Sequence, residues 1–252
     1  MTGEETKKED TRTKVVFACP TVTKPYDAFL KAMESSVPLL DAAGLDHKTV
    51  WEVGNPYISA ARASMLRKAL DTNPDMVIFL DHDLSWAPED LLKLIQTPGD
   101  VVAGLYRYKR DEEEYMGAVM TDTQNIPQGR PLDGALSGFR VPAGFLKITK
   151  QAVNKFMETY PELCYGPYYY PSVDLFNHGA CERLWYGEDY AFSRRWLATG
   201  ERIWIVPDLN IDHHSNKKTY IGNFHQFLLR ANKDTPLKTE RGQDGTSRWS
   251  GL

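Results

Sequence analysis

The sequence is poor in cysteine: Cys19, Cys164 and Cys181 are three in 252 residues. An odd count without C-x-x-C spacing argues against a disulfide frame or a thiolate metal site, and for reduced thiols in a cytosolic compartment. Long apolar runs are missing as well. No stretch reaches the roughly 18 apolar residues of a membrane span, and residues 1–13 are polar and charged, without the apolar centre of a signal peptide. The expectation is a soluble, cytoplasmic protein with no membrane span. Positive charge is not in excess, since 30 Lys and Arg face 34 Asp and Glu for a net charge of -4. That balance supplies no global field for nucleic acid or a membrane surface, although a local basic patch stays open. Partner choice has to come from a site.

What the chain does have is alternation. Its length suffices for one large domain with its own core. Residues 1–13 read as a disordered arm, 14–231 as a single catalytic-sized domain, and 232–252 as a polar, mobile tail. Within the domain, Val15 to Cys19 reads as a strand, then a helix opens at Pro25 with Phe29, Met33, Val37 and Leu40 on one stripe and Gly44 as its stop. Lys48 to Val53 is a second strand, Tyr57 to Leu70 a second helix, and Met76 to Leu80 a third strand. A helix from Pro88 and a strand from Asp100 to Gly104 continue the rhythm. Such alternation predicts an α/β fold with a mostly parallel, Rossmann-like central sheet flanked by helices. Residues 14–106 form its regular half, and 107–231 a less regular one. There, Ser137 to Ile148 reads as strand, and residues 160–181 as a long loop with Tyr165, Tyr168, Tyr169 and Tyr170. A helix then opens at Gly187-Glu188-Asp189, and a strand from Arg202 to Val206 leads toward Asp212 to Lys218. Tyr220 to Leu229 makes a final helix.

The third strand carries the most specific signal. Five apolar residues, Met76 to Leu80, run directly into Asp81-His82-Asp83. Ligands of open α/β sheets collect at the carboxyl ends of strands, so two carboxylates there suit a hydrated cation or a phosphate. An exposed acidic turn is the competing reading of the triplet alone, because Asp is common after strands.

Four separated features, taken together, resemble the GT-A class of nucleotide-sugar glycosyltransferases. They are the Ala61-Arg62 pair before the third strand, the D-x-D at Asp81 and Asp83, the Glu188-Asp189 pair at a helix start, and the His213-His214-Ser215 stretch after one more strand. The resemblance spans roughly residues 15 to 225. It departs from the family at Ser215, where glycine is more usual, and at Ala-Arg-Ala-Ser, where Ala-Arg-Asn is commoner. The resemblance implies transfer of a sugar from a nucleotide sugar, most often a UDP-sugar, to an acceptor hydroxyl. Mn2+, or Mg2+ in its place, would be held by Asp81, Asp83 and His213, with His214 as the other candidate. Asp189, beside Glu188, would be the general base of an inverting reaction. Thr21, Asn55, Arg62, Asp81, His82, Lys109, Gly144 and Lys218 would meet the nucleotide sugar, Arg62 ranking first among phosphate partners. Trp185 and Tyr169 would face the acceptor, where aromatic rings stack on sugars or bases.

Stand-alone members of the family in bacteria and bacteriophages glycosylate hydroxymethylated pyrimidines in DNA, surface glycans or protein, so all three remain acceptor classes. A basic face built from Lys147, Lys150, Lys155, Arg194, Arg195, Lys217 and Lys218 would favour DNA. Rival classes fit less well. A sugar-nucleotide pyrophosphorylase needs a Gly-rich phosphate loop, which Ala18-Cys19-Pro20-Thr21-Val22-Thr23 does not provide. A phosphatase with an aspartyl nucleophile would place its acids after an early strand. A catalytically inactive nucleotide-sugar-binding module of the same fold stays as the alternative.

Overall fold

A computed structural model describes residues 12–123, 125–234, 239–241 and 247–249. The opening elements are β1 (Lys14–Thr21), α1 (Asp27–Ala42), β2 (Asp46–Val53), α2 (Ile58–Leu70) and β3 (Met76–Leu80). They continue with β4 (Leu84–Trp86), α3 (Pro88–Gln96), β5 (Val101–Gly104), β6 (Ala118–Met120), β7 (Leu136–Arg140), β8 (Phe145–Thr149) and α4 (Lys150–Thr159). Two short hairpin-like pairs follow, β9 (Cys164–Tyr165) with β10 (Ser172–Val173) and β11 (Gly179–Cys181) with β12 (Leu184–Tyr186). Then come α5 (Glu188–Ala198), β13 (Ile203–Val206), β14 (Ile211–His214), β15 (Thr219–Tyr220), α6 (Phe224–Asp234), β16 (Thr239–Arg241) and β17 (Ser247–Trp249). The arm at 1–11 lies outside the described residues. Of the tail, 232–234 close α6, and β16 and β17 pair beside β6.

The central sheet runs in the order β2-β1-β3-β8-β5-β13-β7-β6-β17-β16. β1 pairs in parallel with β2 and β3, and β5 with β13, while β8 runs antiparallel between β3 and β5. Most strands therefore point one way, as the alternating sequence predicts. Both faces of the sheet are covered. Successive residues of β3 feed opposite cores: Val77 and Phe79 pack with Met65, Phe156 and Phe192, whereas Ile78 and Leu80 pack with Phe29, Leu91 and Phe145. Burial on both sides is why this strand is a continuous apolar run rather than an alternating one, each buried side chain contributing about 1.5–3 kcal/mol.

Residues 160–181 are not loop throughout, since they carry β9, β10 and β11, and the last helix starts at Phe224 rather than Tyr220; two further differences bear on the site. Ser137 to Ile148 is two strands, not one: β7 and β8 are separated by residues 141–144, so that β8 inserts into the regular half. Residues 211–220 form a hairpin, with β14 also pairing to β4 in register His213 to Leu84. Long-range pairing supplies partners for a polar segment that local pattern alone would leave as loop.

Candidate active site

The D-x-D lies where β3 ends, at the carboxyl edge of the sheet. The backbone N–H of Asp81 donates to the Gly144 carbonyl at 2.9 Å, continuing the β3 to β8 ladder one residue past the strand. Asp83 directly precedes β4, and β4 pairs with β14, so His213 arrives beside Asp83 as a consequence of strand register. The His214 N–H donates to the Asp83 carbonyl at 2.7 Å and fixes the approach.

The two neighbouring histidines have different roles. His213 is buried, and its Nδ1 lies 2.7 Å from the Arg107 carbonyl, which has no proton to give. Nδ1 is therefore the donor, and Nε2 is turned to Asp83 Oδ2 at 3.5 Å. Anchoring one ring nitrogen on a backbone carbonyl is how metal-binding imidazoles are commonly oriented. His214 has both nitrogens engaged, Nε2 with the Ser85 hydroxyl at 2.8 Å and Nδ1 with the Thr219 hydroxyl at 3.0 Å. The Lys109 ammonium also sits on Asp83 Oδ2. Burial pushes the Asp83 carboxyl up, but hydrogen bonds and charge from His213 and Lys109 together outweigh it and hold the group well below its ordinary range.

Asp81 belongs to a different cluster. Arg62 occupies a helical stripe with Met65, Leu66 and Ala69, all buried. Its side chain is 3 % exposed, with Nη1 donating to the Ala143 carbonyl at 3.3 Å and the guanidinium over the Phe176 ring. Nη2 lies 3.0 Å from one Asp81 oxygen and donates to the other at 3.4 Å. It is also 3.8 Å from Glu188. Burial alone would depress the Arg62 charge, but Asp81, Glu188, Tyr106 and Asp189 reverse the effect and raise its pKa. A Cβ at Gly144 would collide with the Asp81 carboxylate and the Tyr106 hydroxyl, so only glycine leaves the acid room there.

Glu188 and Asp189 occupy the first turn of α5, where acids also complement the helix dipole. Asp189 Oδ1 accepts from the Tyr190 N–H at 2.8 Å. Burial first, and the Glu188 charge second, raise its pKa to about 7 despite the opposing pull of Arg62.

Beside the D-x-D, a cleft of about 150 Å³ opens between the ends of β1 and β2 and the start of α2. Thr21, Asn55, Asp81, His82 and Asp83 line it together with the apolar Val22, Pro56 and Ile58. The Thr21 hydroxyl is buried there without a hydrogen-bond partner among the described residues. The side-chain Oδ1 of Asn55 accepts from the Tyr57 N–H at 3.0 Å. The Nδ1 of His82 lies 3.0 Å from the Pro20 carbonyl.

The remaining candidates lie further out. Lys218 is paired with the exposed Asp111. Trp185, 72 % exposed, is on β12 just before α5, and Tyr169, 77 % exposed, stands edge-on to Tyr170. Several of the basic residues are engaged with partners of their own. Lys147 is buried and caps α3 through the Ile95 and Thr97 carbonyls, and Lys150 holds Asn73. Lys155 pairs with Glu201, and Arg194 with Glu182. Lys147 pairs with Ile78 in the middle of β3, and Lys150 opens α4 beyond the β8 residue that pairs with the first residue of β3.

The sequence reading missed Tyr106, whose hydroxyl lies 3.5 Å from Asp81 and whose ring meets His213 edge-on. Its place just past β5 repeats the place of Asp81 past β3, and that shared edge was a usable signal. The Arg107 carbonyl, being backbone, left no signal.

Of the three expected metal ligands, two face one another. Asp83 Oδ2 and His213 Nε2 are 3.5 Å apart, a gap that one cation with bonds of about 2.1 Å spans. Asp81 is directed to Arg62 instead. Among the described residues no cluster of three or more His, Cys, Asp or Glu is disposed to hold a metal ion. The residues present therefore fit a cation bound at two points, with water and ligand oxygens completing its shell, as Mg2+-like ions commonly accept. Among the described residues no helix is long and apolar enough to cross a membrane.

No family model matches this sequence, and no curated protein does. Among solved structures, the inositol-1-phosphate CTP transferase of T. maritima is similar over 79% of this chain and 86% of its own, at 12% identity and a TM-score of 0.38. A likeness at that score carries no argument about fold or activity.

Proposed function

We propose that the protein is a metal-dependent glycosyltransferase that moves a sugar from a nucleoside-diphosphate sugar, UDP being the first candidate, to an acceptor hydroxyl with inversion. One observation carries the reading: residues from the middle and the end of the chain, Asp83 and His213, meet at 3.5 Å, while Arg62 links the neighbouring Asp81 to Glu188 at the start of α5. A Mn2+ or Mg2+ ion held by Asp83 and His213 supplies, when bound, neutralisation of the charge that grows on the departing diphosphate.

The chain's own groups do the rest. Asp189, with a pKa raised to about 7, takes the proton from the acceptor hydroxyl as its oxygen bonds to the anomeric carbon and the bond to the diphosphate breaks. A base of that strength is matched to work near neutrality. Arg62 positions Asp81 and Glu188 rather than reaching a phosphate, since it is buried behind both. The unpartnered Thr21 hydroxyl and the apolar walls of Val22, Pro56 and Ile58 suit a base and ribose. Trp185 and Tyr169 offer exposed rings to the acceptor. Burial of Lys147 and the pairing of Lys155 and Arg194 with acids leave less free positive charge for a DNA acceptor and favour a glycan or protein hydroxyl.

The test is incubation with a panel of UDP-sugars, Mn2+ and glycan, protein or hydroxymethylated DNA acceptors, read by mass spectrometry, with product configuration read by NMR. Transfer that needs Mn2+ and disappears in Asp83→Ala supports the reading. Binding of the nucleotide sugar without any turnover would leave an inactive binding module, and a retained anomeric configuration would remove Asp189 from the base role.

A further inference from the structure

Lys109 is not explained by a site that simply waits for a metal. Its ammonium pairs with Asp83 Oδ2, the same oxygen that His213 Nε2 faces at 3.5 Å. A divalent ion taking Asp83 and His213 would stand within a few ångströms of a positive ammonium, and Coulomb repulsion at that range in a partly buried site forbids both at once. Lys109 can leave. Its side chain is 34 % exposed and it lies on the exposed stretch 109–112, while the carbonyl two residues earlier, on Arg107, holds His213 in place. Departure of the lysine therefore leaves the imidazole where it is.

We propose, on the basis of the site reading above, that Lys109 is a built-in competitor for the cation: it holds Asp83 in the empty protein and is displaced when the ion arrives with the donor. The released ammonium, still beside the ion's seat, then serves as a partner for the donor's diphosphate. The site would thus discriminate against a bare cation and favour one that comes with a diphosphate, because only the diphosphate gives the displaced lysine a new anion.

Mn2+ binding followed by electron paramagnetic resonance, and UDP binding by calorimetry, test this without any turnover. In Lys109→Met, Mn2+ alone should bind on the order of tenfold more tightly than in wild type, while UDP in the presence of Mn2+ binds several-fold more weakly. Lys109→Arg should keep wild-type behaviour on both counts. Opposite signs are the signature, since a merely structural lysine would weaken both ligands or neither. Unchanged or weaker Mn2+ binding in Lys109→Met overturns the competitor role. Asp83→Asn separates the levels: if it abolishes Mn2+ binding while Lys109→Met is neutral, only the competitor role fails, and if it binds Mn2+ as wild type does, the site reading fails with it.

Discussion

Asp81 and Asp83 are two positions apart on one strand end and live in unlike surroundings. Asp81 is enclosed by a buried guanidinium, the Tyr106 hydroxyl and a glycine that makes room for it. Asp83 is held by groups that can let go or share, an exposed-loop lysine and an imidazole anchored elsewhere. The contrast teaches that a D-x-D spacing does not by itself make two equal ligands. One acid is tied down by Arg62 and Tyr106 of its own half, and the other reaches Lys109 and His213 of the second half, where it can hold something from outside.

Substitution at Asp83 should have the largest effect. Asp83→Ala is expected to lower kcat/KM by about 10⁴-fold, several kcal/mol of lost charge stabilisation. Asp189→Asn follows, at about 10³-fold in kcat. Wild-type activity should rise with pH through about 7 and then level, because only the deprotonated Asp189 accepts a proton. Stability should move the opposite way. The folded pKa of Asp189 lies above its ordinary 3.8, so its contribution is full below that value and is lost as pH rises through about 7. Asp189→Asn should remove that decline, as urea titrations at pH 5 and 8 would show.

Asp81→Asn is expected to act on stability. It leaves the buried Arg62 with Glu188, at 3.8 Å, as its remaining ion-pair partner, which should cost about 1–3 kcal/mol of stability, seen as a lowered urea midpoint. Equal stability losses at the two acids would erase the distinction drawn above. Gly144→Ala sharpens it, since its methyl group strikes Asp81 and Tyr106 and not Asp83. The expected loss is about 1–3 kcal/mol with Mn2+ affinity retained. The smallest effect belongs to Trp185→Ala, a roughly threefold rise in acceptor KM at unchanged kcat, the loss of one exposed stacking partner.

Much of the regular half is legible in the sequence. Met76 to Leu80 is recovered to the residue, because an apolar run buried on both faces has no competing pattern. The Ile211–His214 strand is not, because Asp212, His213 and His214 look like a polar turn until β4 is there to pair with them. Arg62 carried a readable clue to its burial: it falls on the apolar stripe with Met65, Leu66 and Ala69. The pairing of Lys109 with Asp83 has no local signature, since it depends on where an irregular loop falls in three dimensions.

The pairing of β4 with β14 also bears on how the molecule is made. Ser85 and His214 are hydrogen-bonded across 129 positions of chain, and joining such distant segments costs closure entropy before the contact returns any of it. During N-to-C synthesis the residues of the crevice between β1 and α2 are made before the imidazole, so a chain ending before β14 lacks the second point of attachment for an ion.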